Sequence, residues 1–422
     1  MQNKKSHFTD VSQLCVGLFV HLDLGWMDHP FAISNFKIKN DEQIAKIQGI
    51  GLKRIRYDPE RSDCEPLSPI INNPIEGNLS NKPENIVASG KLVETKTDSM
   101  EASQEKRVRR LLQMHQTMDE CEKKFIDAGN TAKQVLKNLL LQPEQSVDQA
   151  EHLVNDLVNS ALGENEIAIN AVNGSHSNDA HYVHSLNVTV LALMMARSLS
   201  MSENESRQLG MACLFHDIGK SELEHSDQEQ HCELGASLAK KMGMPDTVVI
   251  IILQHHEYAD GTGYPKRLKA EQTHPLARLL AIINAYDNLC NPKDMALAKT
   301  PYEALAHMFA NQRSKFDSLL LNHLIKSLGV YPPGSIVQLS NGLYGAVVAA
   351  NPSTPLRPVV MLYDANHASQ HPPLIINLRE DRDLSISICI KPSQLPKDAL
   401  DYLNPRSRIN YFLNTDLGAV DL

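Results

Sequence analysis

Between residues 179 and 328 the apolar residues recur at helical spacing almost without a break. That stretch sets the fold class, because successive amphipathic helices can bury their apolar stripes only against one another. Helices are expected over 181–199, 203–217, 232–242, 247–257, 275–288 and 301–308. The second opens with Ser202-Glu203-Asn204-Glu205, a capping box in which hydroxyl and carboxylate satisfy the free amides of a helix start. The flanks read differently. Residues 8–58 mix a Gly-containing apolar run (11–22), a short helix (41–50) and a strand (53–57), the makings of a small α+β domain. Residues 59–103 are dominated by Pro, Asn, Ser, Glu and Lys without an apolar period, the composition of a flexible linker. Helical pattern at 105–128 and 146–162 reads as bundle packing or a dimer surface. Past Tyr331-Pro332-Pro333-Gly334 the pattern turns to alternation. There 335–339 and 344–349 flank the hairpin signal Ser340-Asn341-Gly342-Leu343, and 359–363 and 385–390 are further strands. The expected chain is multidomain: a small α+β domain over 1–58, a linker over 59–103, a helical connector over 104–178, an all-α domain over 179–330 and a β-rich extension over 331–422.

With 41 Lys+Arg against 50 Asp+Glu the net charge is -9. That argues against a broad basic face for polymeric nucleic acid or for an anionic membrane. Any phosphate must be held locally, by a few cations or a metal. No apolar run reaches the roughly 18 residues of a membrane span, and residues 1–10 lack the apolar segment of a secretory signal. The seven cysteines are scattered and never in C-x-x-C spacing, the pattern of reduced, mostly buried thiols in a cytoplasmic protein.

The chemistry is concentrated in histidines of the helical stretch. His216-Asp217 falls at one helix end before Ile218-Gly219-Lys220, and His255-His256 at another before Glu257. His184 lies within an apolar helix and His231 opens a third. Singly, each has an ordinary reading: a hydrogen-bonded core residue for His184, a solvated helix end for His255-His256. Together they bring several imidazoles and a carboxylate into one helical region, where burial without partners is costly. A shared divalent metal of borderline hardness, iron or manganese, satisfies them all. Adjacent His216 and Asp217 cannot share a helix face, so they serve one site only if the helix stops there, and Gly219 is expected to supply the break.

His216-Asp217-Ile218-Gly219-Lys220, together with His255-His256-Glu257-x-x-Asp260-Gly261-x-Gly263-Tyr264-Pro265, resembles the HD-GYP domain, a branch of the HD phosphohydrolase superfamily, over about 179–328. Gly334-Ser335-Ile336-Val337 and Arg357-Pro358-Val359-Val360 resemble the extension that follows some of these domains. Gly17-Leu18-Phe19-Val20 and Trp26-x-x-His29-Pro30-Phe31 resemble the uncharacterised domain that often precedes them in bacteria. The resemblance implies hydrolysis of cyclic di-GMP, to pGpG and/or GMP, at a two- or three-metal centre. It implies His184, His216, Asp217, His231, His255 and His256 as metal ligands, with Asp217 bridging. Asp217 and Lys220 would be catalytic, with Lys220 on the scissile phosphate. Gly261, Gly263 and Tyr264 would shape the site beside the nucleotide, and Arg278 matches a family arginine whose ordinary reading is a structural ion pair.

The departures from the family pattern have chemical consequences. In the Ala-Asp-x-x-Asp-Ala-Leu stretch of the last helix, Asn284 takes the usual Asp ligand slot and Asp287 the second, structural one. An Asn coordinates through a neutral carbonyl, so metal affinity should fall or one ion be lost; two ions, or one, are expected. Ala180 replaces the Glu of three-metal members. The segment 221–230 is short, which would open the site. Lys293, within Asn291-Pro292-Lys293-Asp294, stands where an Arg-Pro-Tyr is expected and offers a phosphate contact without a bidentate fork. Two function classes remain: a metal-dependent phosphodiesterase, and a catalytically weak or inactive sensor that binds the dinucleotide. Either leaves room for a homodimer or a signalling partner.

Overall fold

The computed structural model describes residues 7–23, 35–67, 97–162, 168–172, 180–222, 228–351, 353–363, 374–380, 384–403 and 409–414. The motif at 26–31 and most of the expected linker lie outside them. The chain forms two compact units, Met1–Arg109 and Arg110–Leu422.

In the first unit, strands β1 (His7–Asp10), β2 (Phe19–His21), β3 (Asn35–Lys37) and β4 (Arg54–Tyr57) form an antiparallel sheet in the order β1-β4-β2-β3. Helix α1 (Asp41–Gly49) starts where Asn40 accepts a hydrogen bond from the Gln43 amide, the usual answer to a helix's unpaired first amides. Leu18, Val20, Ile38, Ile47 and Ile55 are buried together. The α+β reading of this region holds. β1 and β3 were not anticipated: they are four and three residues long, too short to show a period.

The second unit contains most of α2 (Thr97–Asn138), then α3 (Pro143–Leu162) and the short strand β5 (Ala168–Val172). The helical core follows: α4 (Ala180–Ser198), α5 (Glu203–Phe215), α6 (His231–Lys241), α7 (Asp246–Gln254), α8 (Pro275–Cys290), α9 (Pro301–Asn311) and α10 (Ser318–Leu328). α4 is its axis. Leu186, Val188, Val190, Leu191, Leu193 and Met195 lie on all sides of it and have no exposed surface. A helix apolar all round belongs in the centre of a bundle. The capping box at Ser202 and Glu205 forms as expected.

Strands β6 (Ile336–Leu339), β7 (Tyr344–Ala349), β8 (Val359–Tyr363), β9 (Leu374–Asn377), β10 (Ile386–Ile390) and β11 (Asn410–Asn414) follow, with α11 (Lys397–Leu403) between the last two. The sheet runs β10-β6-β7-β5-β11, and β8 pairs with both β7 and β9. The mostly helical middle with a sheet behind it matches the expected class. One difference matters. β5, from the connector read as helical, is a central strand of this sheet, and its whole length pairs with β11, Asn410 facing Val172 and Asn414 facing Ala168. Five residues with a single polar one, Asn170, show no alternation to mark a strand until a partner covers them.

Candidate metal centre

The expected histidines converge. α5 ends at Phe215 with His216 as its cap, and a 3-10 turn from Ile218 to Glu222 takes over. The change of helix type lets His216 and Asp217 face one site. Gly219 acts differently from the expectation: it does not take the left-handed conformation of a helix-ending glycine. An added Cβ there would lie 2.1 Å from the His231 carbonyl oxygen and 2.6 Å from the Gly235 nitrogen. The missing side chain lets the 3-10 turn rest directly on α6, which brings Asp217 to His231.

Asp217 stands between two groups of rings. Its Oδ2 is 3.5 Å from His216 Nε2 and 4.0 Å from His184 Nε2. Its Oδ1 is 3.4 Å from His231 Nε2 and 3.8 Å from His255 Nε2. His256 completes the second group, and in each group one potential donor atom from every member lies within 4.8 Å of the others. Asp217 Oδ1 is buried and accepts no hydrogen bond.

The tautomers follow from the other ring nitrogens. His216 Nδ1 donates to the Cys213 carbonyl and His255 Nδ1 to the Ile252 carbonyl, each at 2.7 Å. His184 Nδ1 donates to Asp287 Oδ2 at 2.6 Å. Three rings thus turn an Nε2 lone pair inward. The His184 and His216 Nε2 atoms face each other at 3.2 Å, as do those of His231 and His255. Facing lone pairs at that distance repel unless positive charge lies near them. Burial disfavours the charged form of three rings, lowering His216 to about 4 and His256 to about 3, with His255 also well below its ordinary value. At His184 burial opposes protonation, but the hydrogen bond and charge of Asp287 outweigh it and raise the pKa. Burial alone would raise Asp217, yet His216, Lys220, His184 and His255 hold its carboxyl well below the usual range. Imidazoles of which His216, His255 and His256 are held in the neutral form, an ionised carboxylate with an orphaned oxygen, and Nδ1–H groups spent on carbonyl and carboxylate are the donor set and support a divalent ion requires.

Lys220 Nζ donates to Asp217 Oδ2 at 2.6 Å and is 39% exposed. Tyr264 stacks on His256 with ring centroids 4.6 Å apart. The loop carrying Tyr264 is fixed by Glu257, buried, which accepts from the amides of Lys266 and Leu268 at 2.7 and 2.8 Å. Gly263 is obligatory there, since a Cβ would sit 2.3 Å from the Tyr258 nitrogen. Gly261 turns the loop at φ +78.

Three further expected site residues have partners or surroundings of their own. Arg278 Nη1 donates to Asp317 Oδ2 at 2.7 Å, the ion pair of its ordinary reading, while its Nε is buried without a hydrogen bond. Asn284 is buried on α8, and its Oδ1 already accepts from Asn288 Nδ2 at 2.7 Å. Lys293 is exposed on the loop after α8.

Sequence reasoning missed the layer behind His184. Asp287 Oδ1 accepts from Asn187 Nδ2 at 3.1 Å and Asn291 Nδ2 at 3.0 Å. Both amides also donate to the Ile409 carbonyl, at 2.9 and 2.8 Å. In return Asn187 Oδ1 accepts from the Tyr411 amide and Asn291 Oδ1 from the Ile409 amide, and the hydroxyls of Tyr286 and Tyr411 meet at 2.8 Å. The strand β11 is therefore bonded to the residues that aim His184. An asparagine three positions after His184 on an otherwise apolar helix was the available signal, since buried amides need partners.

The sequence comparisons agree with this construction. Residues 150–320 match the family described as HD domain. Residues 7–150 match a domain of unknown function, DUF3391, and residues 336–398 a KOW domain associated with HD domain. Residues 150–320 are thus an HD domain, preceded by a DUF3391 region. The chain is similar to a cyclic di-GMP phosphodiesterase of Pseudomonas aeruginosa, 29% identical over 52% of this chain and 57% of that protein. It is also similar to the cyclic di-GMP phosphodiesterase PdeB of Borreliella burgdorferi, 22% identical over 43% of this chain and 51% of that protein. The chain spans about half the length of these curated relatives. An HDG"Y"P protein from Bdellovibrio bacteriovorus aligns over 76% of this chain and 98% of its own at 17% identity and a TM-score of 0.38. No helix among the described residues is long and apolar enough to cross a membrane.

Proposed function

We propose that this chain is a metal-dependent phosphodiesterase that hydrolyses cyclic di-GMP to pGpG and/or GMP. The observation that carries it is Asp217, whose two oxygens face two separate groups of imidazoles. His184, His216 and Asp217 would hold one ion, and Asp217, His231, His255 and His256 a second; the mixed imidazole and carboxylate set suits iron or manganese. When bound, such ions supply a water-derived nucleophile at neutral pH and positive charge against phosphoryl oxygens. Lys220, whose side chain is partly exposed beside Asp217, would meet a non-bridging phosphate oxygen and steady charge as the 3′-oxygen departs. Tyr264 holds His256 in place and, with Gly261 and Gly263, walls the site beside the nucleotide. Similarity to two cyclic di-GMP phosphodiesterases supports the substrate class, and scattered reduced thiols support a cytoplasmic setting.

Protein purified anaerobically and loaded with iron(II) or manganese(II) is expected to cleave cyclic di-GMP, and His216→Ala to abolish cleavage. Absence of turnover with either metal removes the proposal. A second reading, a dinucleotide receptor with little turnover, draws on Asn284, a neutral side chain already bonded to Asn288. Tight binding without cleavage, with turnover appearing only in Asn284→Asp, would establish the receptor instead.

A further inference from the structure

A cavity of about 370 Å³ opens beside the metal centre. Asp217 and Lys220 line one part of it, the end of α2 supplies Lys137 and the turn after it Leu140, and Tyr182 and Leu214 come from α4 and α5. Of these the motifs account only for Asp217 and Lys220. The volume lies at the low end for small-ligand sites, the scale of one nucleoside and not of a whole cyclic dinucleotide. Its chemistry is divided. Leucines and a phenol ring offer an apolar surface against which a flat base can stack, and Leu140 is 51% exposed, so such a base would cover surface now open to water. The cations are Lys137 and Lys220, with Lys133 Nζ 6.0 Å from the Tyr182 ring centroid. Asp217, the acidic group in the lining, is committed to the histidines. An uncharged or cationic ligand would find little to prefer here, whereas a purine carrying phosphate matches both parts.

We propose that this cavity seats one guanine nucleoside of the cyclic dinucleotide, its base against Tyr182 and Leu140 and its phosphate drawn to Lys220 at the Asp217 end. The assignment rests on the phosphodiesterase reading for its ligand. It makes α2, which lies N-terminal to the HD motifs, part of the substrate site and gives Tyr182 and Lys137 a role in choosing the substrate.

The test compares two diesters on the manganese-loaded full chain: cyclic di-GMP, and bis(4-nitrophenyl) phosphate, which has no nucleoside. The ratio of kcat/KM for the first to that for the second is expected to fall about tenfold or more in Tyr182→Ala, the scale of a lost base stack. It should fall in Lys137→Ala too, and recover in Tyr182→Phe. A purely structural defect lowers both activities together, leaves the ratio unchanged and overturns the proposal. Equilibrium dialysis of cyclic di-GMP separates this from failure of the hydrolase reading. If the wild type binds but cleaves neither diester, hydrolysis is refuted, and binding at least tenfold weaker in Tyr182→Ala still upholds the cavity. Equal binding by wild type and Tyr182→Ala refutes the cavity whatever the turnover, and no binding by the wild type refutes both.

Discussion

Gly219→Ala tests how the metal centre is assembled. The new Cβ would lie 2.1 Å from the His231 carbonyl oxygen, where ordinary contact begins near 3.4 Å, so the 3-10 turn and α6 must part by about 1.3 Å. Both obstructing atoms are backbone, so no side chain can swing aside. Overpacking of this kind costs about 1–3 kcal/mol, which for a unit of this size lowers the melting temperature by roughly 1.5–5 °C. The effect on metal should be larger. Ligand distances tolerate only about 0.2 Å, and the turn carries Asp217 while α6 begins with His231, now 3.4 Å from its carboxylate. Manganese content after dialysis, measured by mass spectrometry, is expected to fall by at least one ion per chain. Gly49→Ala is the control: it is exposed on α1 with nothing within 4 Å of an added Cβ, and should stabilise by up to about 1 kcal/mol. A Gly219→Ala protein with wild-type melting and metal content would refute the close-approach argument.

Three further outcomes can be checked. Asn187→Ala removes a donor from Asp287 and from the Ile409 carbonyl and should cost about 1–3 kcal/mol, with faster hydrogen exchange confined to β11 and the start of α4; unchanged exchange there would contradict the bonding described. Tyr264→Ala should loosen His256 and weaken manganese binding while Tyr264→Phe, which keeps the stacked ring, should not; equal effects of the two would point to the hydroxyl. In metal-free protein, His216 stays neutral in the fold down to about pH 4 but takes a proton near 6.5 when unfolded. Its contribution is therefore complete above pH 6.5 and is lost as pH falls toward 4, reaching about 2 kcal/mol at pH 5. His255 and His256 act in the same direction and His184, with its raised pKa, in the opposite one. Calorimetry in chelator should show melting temperature falling from pH 7 to 5, and a flat or rising trend would contradict the burial of these rings as neutral groups.

The helical core and its donor set were legible because periodicity and motif spacing are local. His216-Asp217 and His255-His256 mark helix ends, and a helix end is where neighbouring side chains can aim together. What could not be read depends on contacts distant in sequence. β5 takes its identity from β7 and β11, and Asn187 finds partners 100 and 222 residues away. Gly219 was legible as a special position but not as the right kind: a glycine required by a neighbouring backbone looks the same in sequence as one that ends a helix. Arg278 carried two readings because its ion-pair partner, Asp317 at the start of α10, lies 39 residues away in sequence.

β5 and β11 lie on either side of the helical core in the chain and side by side in space. The intervening helices form one large loop fastened at its neck. Excising residues 179–330 alone would cut the fastening on both sides. Asn187, Asn291 and Tyr286 would lose their partners at Ile409 and in β11, and the carboxylate that orients His184 would lose the amides' anchoring. The smallest piece able to keep the reactive histidines in register thus extends well past the helices that bear them, back to residue 168 and on to residue 414.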